Sequence, residues 1–308
     1  MNSFVRPHSG GLAIEARPVP AVYGVGVTVI MVVFRTGPAL AESVHRVLND
    51  PQVDEFVIVD NGSTPSEEVV LDAAAREPQV QLLRGQGNVG FARGANLGAS
   101  AAHGKVLVFL NPDAFLEPGC IAALRANLSE RHGLRLVGAR VLNLDRTEQR
   151  GARRGEVTPV TTLLSLTRLS RRLPSFRNFE IHHEDDPTPN EPLPVPTISG
   201  ACFAMTRADF SAMGGFDEGY FLHVEDVDLC WRVRRSGGEV LFHPGAEVIH
   251  LGSTSHTSPV KVEFWKGLGL VRYFRKRADN PRRTLLAHAL APAIIAISVV
   301  RPLFKRRR

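Results

Sequence analysis

The chain has 308 residues, enough for one large α/β domain with an added element, and its 44% hydrophobic and 22% charged content is that of a globular protein. The net charge of +6 gathers at residues 150–154, at 168–172 and from Arg272 to the end, which points to an anionic surface; two Trp and three Tyr are too few for interleaved base stacking, so lipid is favoured and no nucleic acid is expected. Cys120, Cys202 and Cys230 have neither metal-pair nor redox-pair spacing and read as buried thiols of a reducing compartment.

Residues 1–23 carry Arg6 and several prolines without a signal-peptide core, and read as a disordered tail. Val25 to Phe34 is an apolar, β-branched run, a first strand too short to span a bilayer. A helix over 39–48, a strand over 55–60 ending in Asp60-Asn-Gly-Ser63, a helix over 66–76 and a strand over 80–83 follow. A glycine-rich turn then leads to a helix at 91–102 and to the buried strand Lys105-Val-Leu-Val-Phe-Leu-Asn-Pro-Asp113. This alternation predicts a mostly parallel sheet covered on both faces, the Rossmann-like α/β class.

Beyond Pro118 the pattern predicts a helix near 121–128, a strand near 136–139, and a loop region over 145–197 with a helical piece near 160–169. A strand at 199–206, a helix at 224–235 stopped by Gly237-Gly238, and strands at 240–242 and 247–250 complete the pattern. From Pro259 the chain is helical, basic and amphipathic, and 285–300 is an apolar stretch marginal for a span, flanked by Arg301 and Lys305 to Arg308. Positive flanks favour a shallow helix on the cytoplasmic face of a membrane.

Several groups carry chemistry. Asp113 leaves the core at the carboxyl edge of the sheet, where ligands of open α/β sheets bind and an acid can hold a divalent metal against a phosphate; a turn cap is the bland reading. Asp60 ends a strand where a carboxylate can accept a pyrimidine N3–H, or simply close an Asx turn. Asn88, Arg93 and Asn96 lie around a helix N-terminus suited to a diphosphate. Glu225, Asp226 and Asp228 crowd the start of a helix, where mutual repulsion raises pKa values toward those of a general base. His250 ends a strand beside glycine and hydroxyl residues and is a candidate metal ligand. Gly85-Gln-Gly87-Asn-Val-Gly90 matches a dinucleotide fingerprint, so an NAD(P)-dependent oxidoreductase competes.

In order, Val-Ile-Val-Asp60-Asn-Gly-Ser, Asn88-Val-Gly-Phe-Ala-Arg-Gly-Ala-Asn96, Leu-Asn-Pro-Asp113, Glu225-Asp226-Val-Asp-Leu-Cys-Trp-Arg and His250-Leu-Gly-Ser-Thr-Ser resemble the inverting family-2 glycosyltransferases of GT-A fold over residues 25 to 256. Asn-Pro-Asp113 is similar to the rhamnosyltransferase branch, and Asn111 stands where many members carry an acid. The resemblance implies a catalytic domain at 24–256 and a membrane-associated helical region at 257–308. It further implies Asp226 as catalytic base, Glu225 as support or acceptor contact, and Asp60, Asn88, Arg93 and Asp113 on the nucleotide-sugar. Asp113 and His250 would hold Mg2+ or Mn2+. The expected reaction moves a sugar, L-rhamnose from dTDP-rhamnose in the first instance or a UDP-sugar, to a glycan or polyprenyl-diphosphate-linked acceptor in cell-envelope polysaccharide synthesis. The loop at 146–196 would shape the acceptor site. The rival readings are the oxidoreductase and a non-catalytic nucleotide- or glycan-binding membrane protein. A nucleotidyltransferase lacks support, because Phe34-Arg35-Thr36-Gly37 is a poor glycine-rich basic loop.

Overall fold

A computed structural model describes residues 26–128, 133–167, 169–252, 254 and 257–304; the tail expected at 1–23 and the basic end from Lys305 lie outside them. The first half alternates β1 (Val27–Val33), α1 (Ala39–Leu48), β2 (Glu55–Asp60), α2 (Pro65–Ala74), β3 (Val80–Leu83), α3 (Phe91–Ala101) and β4 (Val106–Leu110). Every residue of β1, β2 and β4 is buried. That burial is why these strands read as continuous apolar runs instead of alternating ones: helices cover both faces. Gly98 of α3 brings its helix against the sheet; a Cβ there would lie 2.6 Å from Ile30 Cγ2.

The second half contains β5 (Ala114–Leu116), α4 (Cys120–Ala126), β6 (Arg135–Leu142), β7 (Arg153–Arg154), α5 (Pro159–Leu166), α6 (Leu169–Arg172) and a 3-10 turn at Pro174–Phe179. It continues with β8 (Leu193–Pro194), β9 (Thr197–Ile198), β10 (Cys202–Thr206), α7 (Arg207–Ala212), α8 (Glu225–Arg235), β11 (Glu239–His250), α9 (Pro259–Arg277) and α10 (Pro281–Phe304).

The nine-stranded sheet has the order β3-β2-β1-β4-β10-β6-β11-β5, with β8 added on β11. β3, β2, β1, β4, β6 and β11 run one way and β10, β5 and β8 the other, so the sheet is mostly parallel. The chain steps outward from β1 to β2 and β3 and then returns to the far side of β1 as β4. The switch point therefore lies between β1 and β4, whose carboxyl ends open the crevice.

Local reading missed some elements. The strands expected at 240–242 and 247–250 are one strand, β11, whose register on β6 shifts between His243 and Glu247. β5 and α7 went unanticipated: three residues, and a six-residue helix capped by the Thr206 hydroxyl, are too short for periodicity to register. The basic run at 150–154 turns inward, contrary to its reading as a lipid-facing cluster. Arg153 is buried against Glu148 at 2.7 Å and over the Phe242 ring, and Arg154 reaches Asp226.

The C-terminal helices pack on the body as well as on each other. Tyr220, Val224, Val227, Leu270, Tyr273, Phe274, Ala291 and Ile294 share one buried apolar cluster. Charge reinforces it: Lys276 contacts Asp217 at 2.8 Å and Asp228 at 2.9 Å, and Arg272 contacts Asp217 at 2.8 Å. After burial, which would raise it, Lys276 and Arg272 bring the Asp217 carboxyl down to about 2. Much of the basic face expected on α9 is thus neutralised internally. α10 differs: Pro281–Val300 is long and apolar enough to cross a bilayer, and only 22% of that stretch is buried.

Candidate active site

Because β2, β3, β4, β6 and β11 run the same way, Asp60, Arg84, Asp113, Gln149 and His250 all follow or close strands at one edge of the sheet. β10 runs oppositely and starts there, since Cys202 pairs with Leu110, so Gly200 lies at the same edge.

At the β2 end, Asp60 Oδ1 accepts from the Gly62 and Ser63 amides at 3.0 and 2.9 Å and from the Ser63 hydroxyl at 2.8 Å. The turn-closing reading is therefore realised, while Oδ2 stays outside the turn, 4.0 Å from Arg84 Nε. Gln86 Nε2 donates to the Asp60 carbonyl at 2.7 Å. Arg84 Nε and Nη2 and Gln86 Oε1 are buried without hydrogen-bond partners. Such orphaned atoms in a folded protein call for a ligand or water. Neither residue was singled out from sequence.

The turn before α3 is less open than expected. Phe91 N donates to the Phe221 carbonyl at 2.9 Å, and a Cβ on Gly90 would lie 2.6 Å from that oxygen. The helix N-terminus thus faces the 221 turn, so its proposed use as a diphosphate cradle is revised. The same contact disfavours the dinucleotide fingerprint, which moreover sits on the edge strand β3 and away from the switch point. Asn88 Oδ1 accepts from Gly90 N at 3.1 Å, and Arg93 is 60% exposed with Glu218 at 3.8 Å. Asn96 is a clamp: its side chain donates to the Phe216 carbonyl and accepts from the Phe216 amide, both at 2.9 Å.

Asp113, between β4 and β5, is buried. Its Oδ1 lies 3.1 Å from His250 Nε2, and its Oδ2 accepts from Thr254 Oγ1 at 2.9 Å. Burial would raise its pKa, but His250 and Thr254 outweigh that and hold the carboxyl below the usual carboxylate range. Gln149 sets the imidazole. Its Nε2 donates to the His250 carbonyl at 2.9 Å, which leaves Oε1 to accept from Nδ1 at 2.7 Å. With Nδ1 committed to Gln149, Nε2 is the ring nitrogen directed at Asp113. Two ligands at right angles on an ion at about 2.1 Å stand about 3 Å apart, so the 3.1 Å spacing fits two adjacent metal positions. A histidine ligand whose other nitrogen is held by an amide carbonyl is the usual supporting arrangement. Asn111 Nδ2 lies 3.3 Å from the same Nε2. Among the described residues no group of three His, Cys, Asp or Glu side chains forms a complete metal cage, so substrate oxygens or water would complete the set.

Asp226 opens α8. Arg154 Nη2 donates to its Oδ2 at 2.5 Å, Gly200 N donates to the same oxygen at 3.1 Å, and the carboxylate remains 13% exposed. Burial pushes its pKa up, but the Arg154 charge and hydrogen bond prevail and lower it. Glu225 behaves oppositely: burial, then the Asp226 charge, push it up to about 8, and its Oε2 has no partner. The crowding expected to raise these acids toward a neutral-pH base does so at Glu225, but at Asp226, the expected base, Arg154 turns the shift downward. The third, Asp228, turns away to Tyr220, Arg232 and Lys276. His223 and Val224, just before the pair, have φ of 66° and 74°. The left-handed region is unfavourable for a β-branched residue, and such strain gathers at functional sites.

Two consecutive residues join the halves. Asn111 N donates to the Ala201 carbonyl at 2.9 Å, while Gly200 N binds Asp226. A Cβ on Gly200 would lie 3.1 Å from Asp226 Cβ, so only a glycine allows this approach freely.

Residues 28–214 match the family model described as glycosyl transferase family 2, and residues 182–257 match one described as N-terminal domain of galactosyltransferase. N-acetylglucosaminyl-diphospho-decaprenol L-rhamnosyltransferase of Mycobacterium tuberculosis is 28% identical over 247 residues, 72% of this chain and 75% of that protein. Polypeptide N-acetylgalactosaminyltransferase 11 of Xenopus tropicalis is 28% identical over 235 residues, 69% of this chain but 36% of that one. Among solved structures, GalNAc-T7 with UDP, GalNAc and Mn2+ superposes with a TM-score of 0.58 at 18% identity, over 90% of this chain and 57% of that chain, a likeness of fold. With the GT-A architecture and a family model covering more than half its length, the chain belongs to glycosyl transferase family 2.

Proposed function

We propose that the protein transfers a sugar, L-rhamnose in the first instance, from a nucleoside diphosphate to a hydroxyl of a lipid-linked or glycan acceptor, with inversion. The observation that carries this is the Gly200-Ala201 link: it places the Asp113 loop and the Asp226 carboxylate one peptide apart at the crevice. The rhamnosyl preference is supported by the mycobacterial relative, whose name also gives the lipid-linked acceptor; the N-acetylgalactosaminyl relatives are what the donor test must discriminate against.

Asp60 Oδ2 accepts the N3–H of a thymine or uracil, and the orphaned Arg84 and Gln86 atoms take up further polar atoms of the nucleotide. Asn88 and Arg93 line the open side of the donor. Asp113 and His250 are the residues that would hold a divalent cation, Mg2+ or Mn2+. Bound there, it would supply positive charge to the leaving diphosphate. Asp226, kept ionised by Arg154, accepts the proton of the acceptor hydroxyl. That oxygen forms its bond to the anomeric carbon as the bond to the diphosphate oxygen breaks, and the electron pair departs with the nucleoside diphosphate. Glu225, protonated at neutral pH, is a donor beside the base and supports the acceptor. Residues 146–196 wall the acceptor side, and α10 keeps the enzyme at the cytoplasmic face of a membrane.

Thermal shift with dTDP, UDP, GDP, their sugar conjugates and NAD(P), each with and without Mg2+ or Mn2+, tests the donor site. A metal-dependent shift with dTDP or UDP species, abolished by Asp113→Ala and reduced about 10- to 100-fold in metal affinity by Gln149→Leu, is expected. A metal-independent shift with NAD(P) alone refutes the reading. Asp226→Asn is expected to keep the donor shift and lose transfer; undiminished function in cells would instead make the protein a binding module.

A further inference from the structure

At the far end of α8 from the base, the last helical turn and the α9–α10 corner enclose a cleft of about 450 Å³. Arg234, Arg235, Arg277 and Arg283 line it with Trp231, against only Glu156 and Asp279. Glu156 is held between Arg234, at 2.9 Å, and Arg277. Asp279 pairs with Arg283 at 2.8 Å. Arg235 lies over the Trp231 ring, 5.2 Å from its centroid, and among the described residues it pairs with no acid. Two positive charges are left over in a concave site. Arg277 and Arg283 also border an adjoining groove of about 170 Å³, whose walls include Pro159, Val160, Phe274 and Leu286. A phosphate site that opens onto an apolar groove matches one ligand chemistry: a phosphate carried on hydrocarbon chains.

We propose that this cleft takes the headgroup phosphate of an anionic phospholipid, with an acyl chain along the groove and the exposed face of α10 in the bilayer. This rests on the membrane-facing reading of α10 given above and adds a defined lipid contact to it. Charge complementarity and position argue for it. Leu285 is 72% exposed and Leu286 and Val300 are also exposed on the same helix that supplies Arg283, so headgroup and hydrocarbon contacts lie on one surface. Arg235 is two and a half turns along α8 from Asp226, about 14 Å of helix rise, so the cleft lies at the opposite end of α8 from the base. Its lining includes Glu156 of the 146–196 segment but none of Asp60, Asp113, Asp226 and His250, so it is distinct from the reaction centre.

The test is co-sedimentation of the full-length protein with vesicles of phosphatidylcholine alone or with about a quarter phosphatidylglycerol. Wild type is expected to bind the anionic vesicles at least about tenfold more tightly, and Arg235→Glu with Arg283→Glu to remove that preference. The nucleotide-induced thermal shift should stay unchanged in the double variant, which separates failure of this site from failure of the glycosyltransferase reading. Equal binding to both vesicle types, or a double variant that keeps the preference, overturns the proposal. Stabilisation by inorganic phosphate without vesicle binding assigns the cleft to a soluble anion and overturns it too.

Discussion

At the residue scale the site turns on two adjacent carboxyls with opposite protonation. Arg154 holds Asp226 ionised, so removing that guanidinium lets burial dominate. Arg154→Ala is expected to move the acid limb of kcat/KM to higher pH and cut transfer at neutral pH about 10- to 100-fold, with donor binding retained. A pH profile that stays in place would show that Arg154 does not tune the base. Glu225 makes a complementary prediction. Its pKa is raised in the folded state to about 8, so the fold binds its proton more tightly than the unfolded chain does. That contribution is complete below the unfolded value of about 4.3 and is lost as pH rises through the folded one, so stability falls across that window. Glu225→Gln should flatten the decline by on the order of a few kcal/mol between about pH 5 and 8, read from melting midpoints across pH. Asp226, Glu225, Asp113 and His250 were all legible in the sequence as polar residues at ends of elements. Arg154 and Gln149 were not. Their partners lie 72 and 101 positions away, and no local pattern carries that separation.

At the element scale, strands β1 to β4 were readable because burial on both faces leaves a continuous apolar run. β11 was read as two pieces because its shift between His243 and Glu247 interrupts the run at His-Pro-Gly. That irregular strand delivers His250 opposite Ala114, beside Asp113. Helix α9 acts on the other half of the site. A Cβ on Gly269 would lie 3.1 Å from the His223 carbonyl and 3.1 Å from Val224 Cγ2, so the helix presses on the left-handed pair just before Glu225. Gly269→Ala is expected to displace that turn and lower kcat several-fold while leaving the donor KM close to wild type, because Asp60 and Asp113 are held by other strands. Equal losses in donor binding would place the effect on global stability instead.

At the scale of the whole molecule the described residues form two apolar clusters: one is the sheet and its helices, and the other joins α9 and α10 to the turn before the base. Composition and hydropathy signalled a basic, apolar C-terminal region but could not show that Lys276 and Arg272 answer Asp217 and Asp228 on the body. Deleting residues 259–308 should therefore expose Tyr220, Val224 and Val227 and lower the unfolding midpoint by about 10 °C or more, with transfer lost. A truncated protein that melts like the full chain and still transfers sugar would make the C-terminal helices a separable attachment.

The Gly200-Ala201 peptide has one more implication. It acts as a fixed ruler between the leaving-group side and the proton acceptor, and a trans peptide allows no adjustable length. Adapting the enzyme to a deeper or shallower acceptor hydroxyl cannot proceed by sliding Asp226 alone, because any shift drags the segment that pairs with Asn111. Changes in acceptor range should then come from the surrounding walls, leaving the spacing of the two functional edges as the invariant around which specificity is rebuilt.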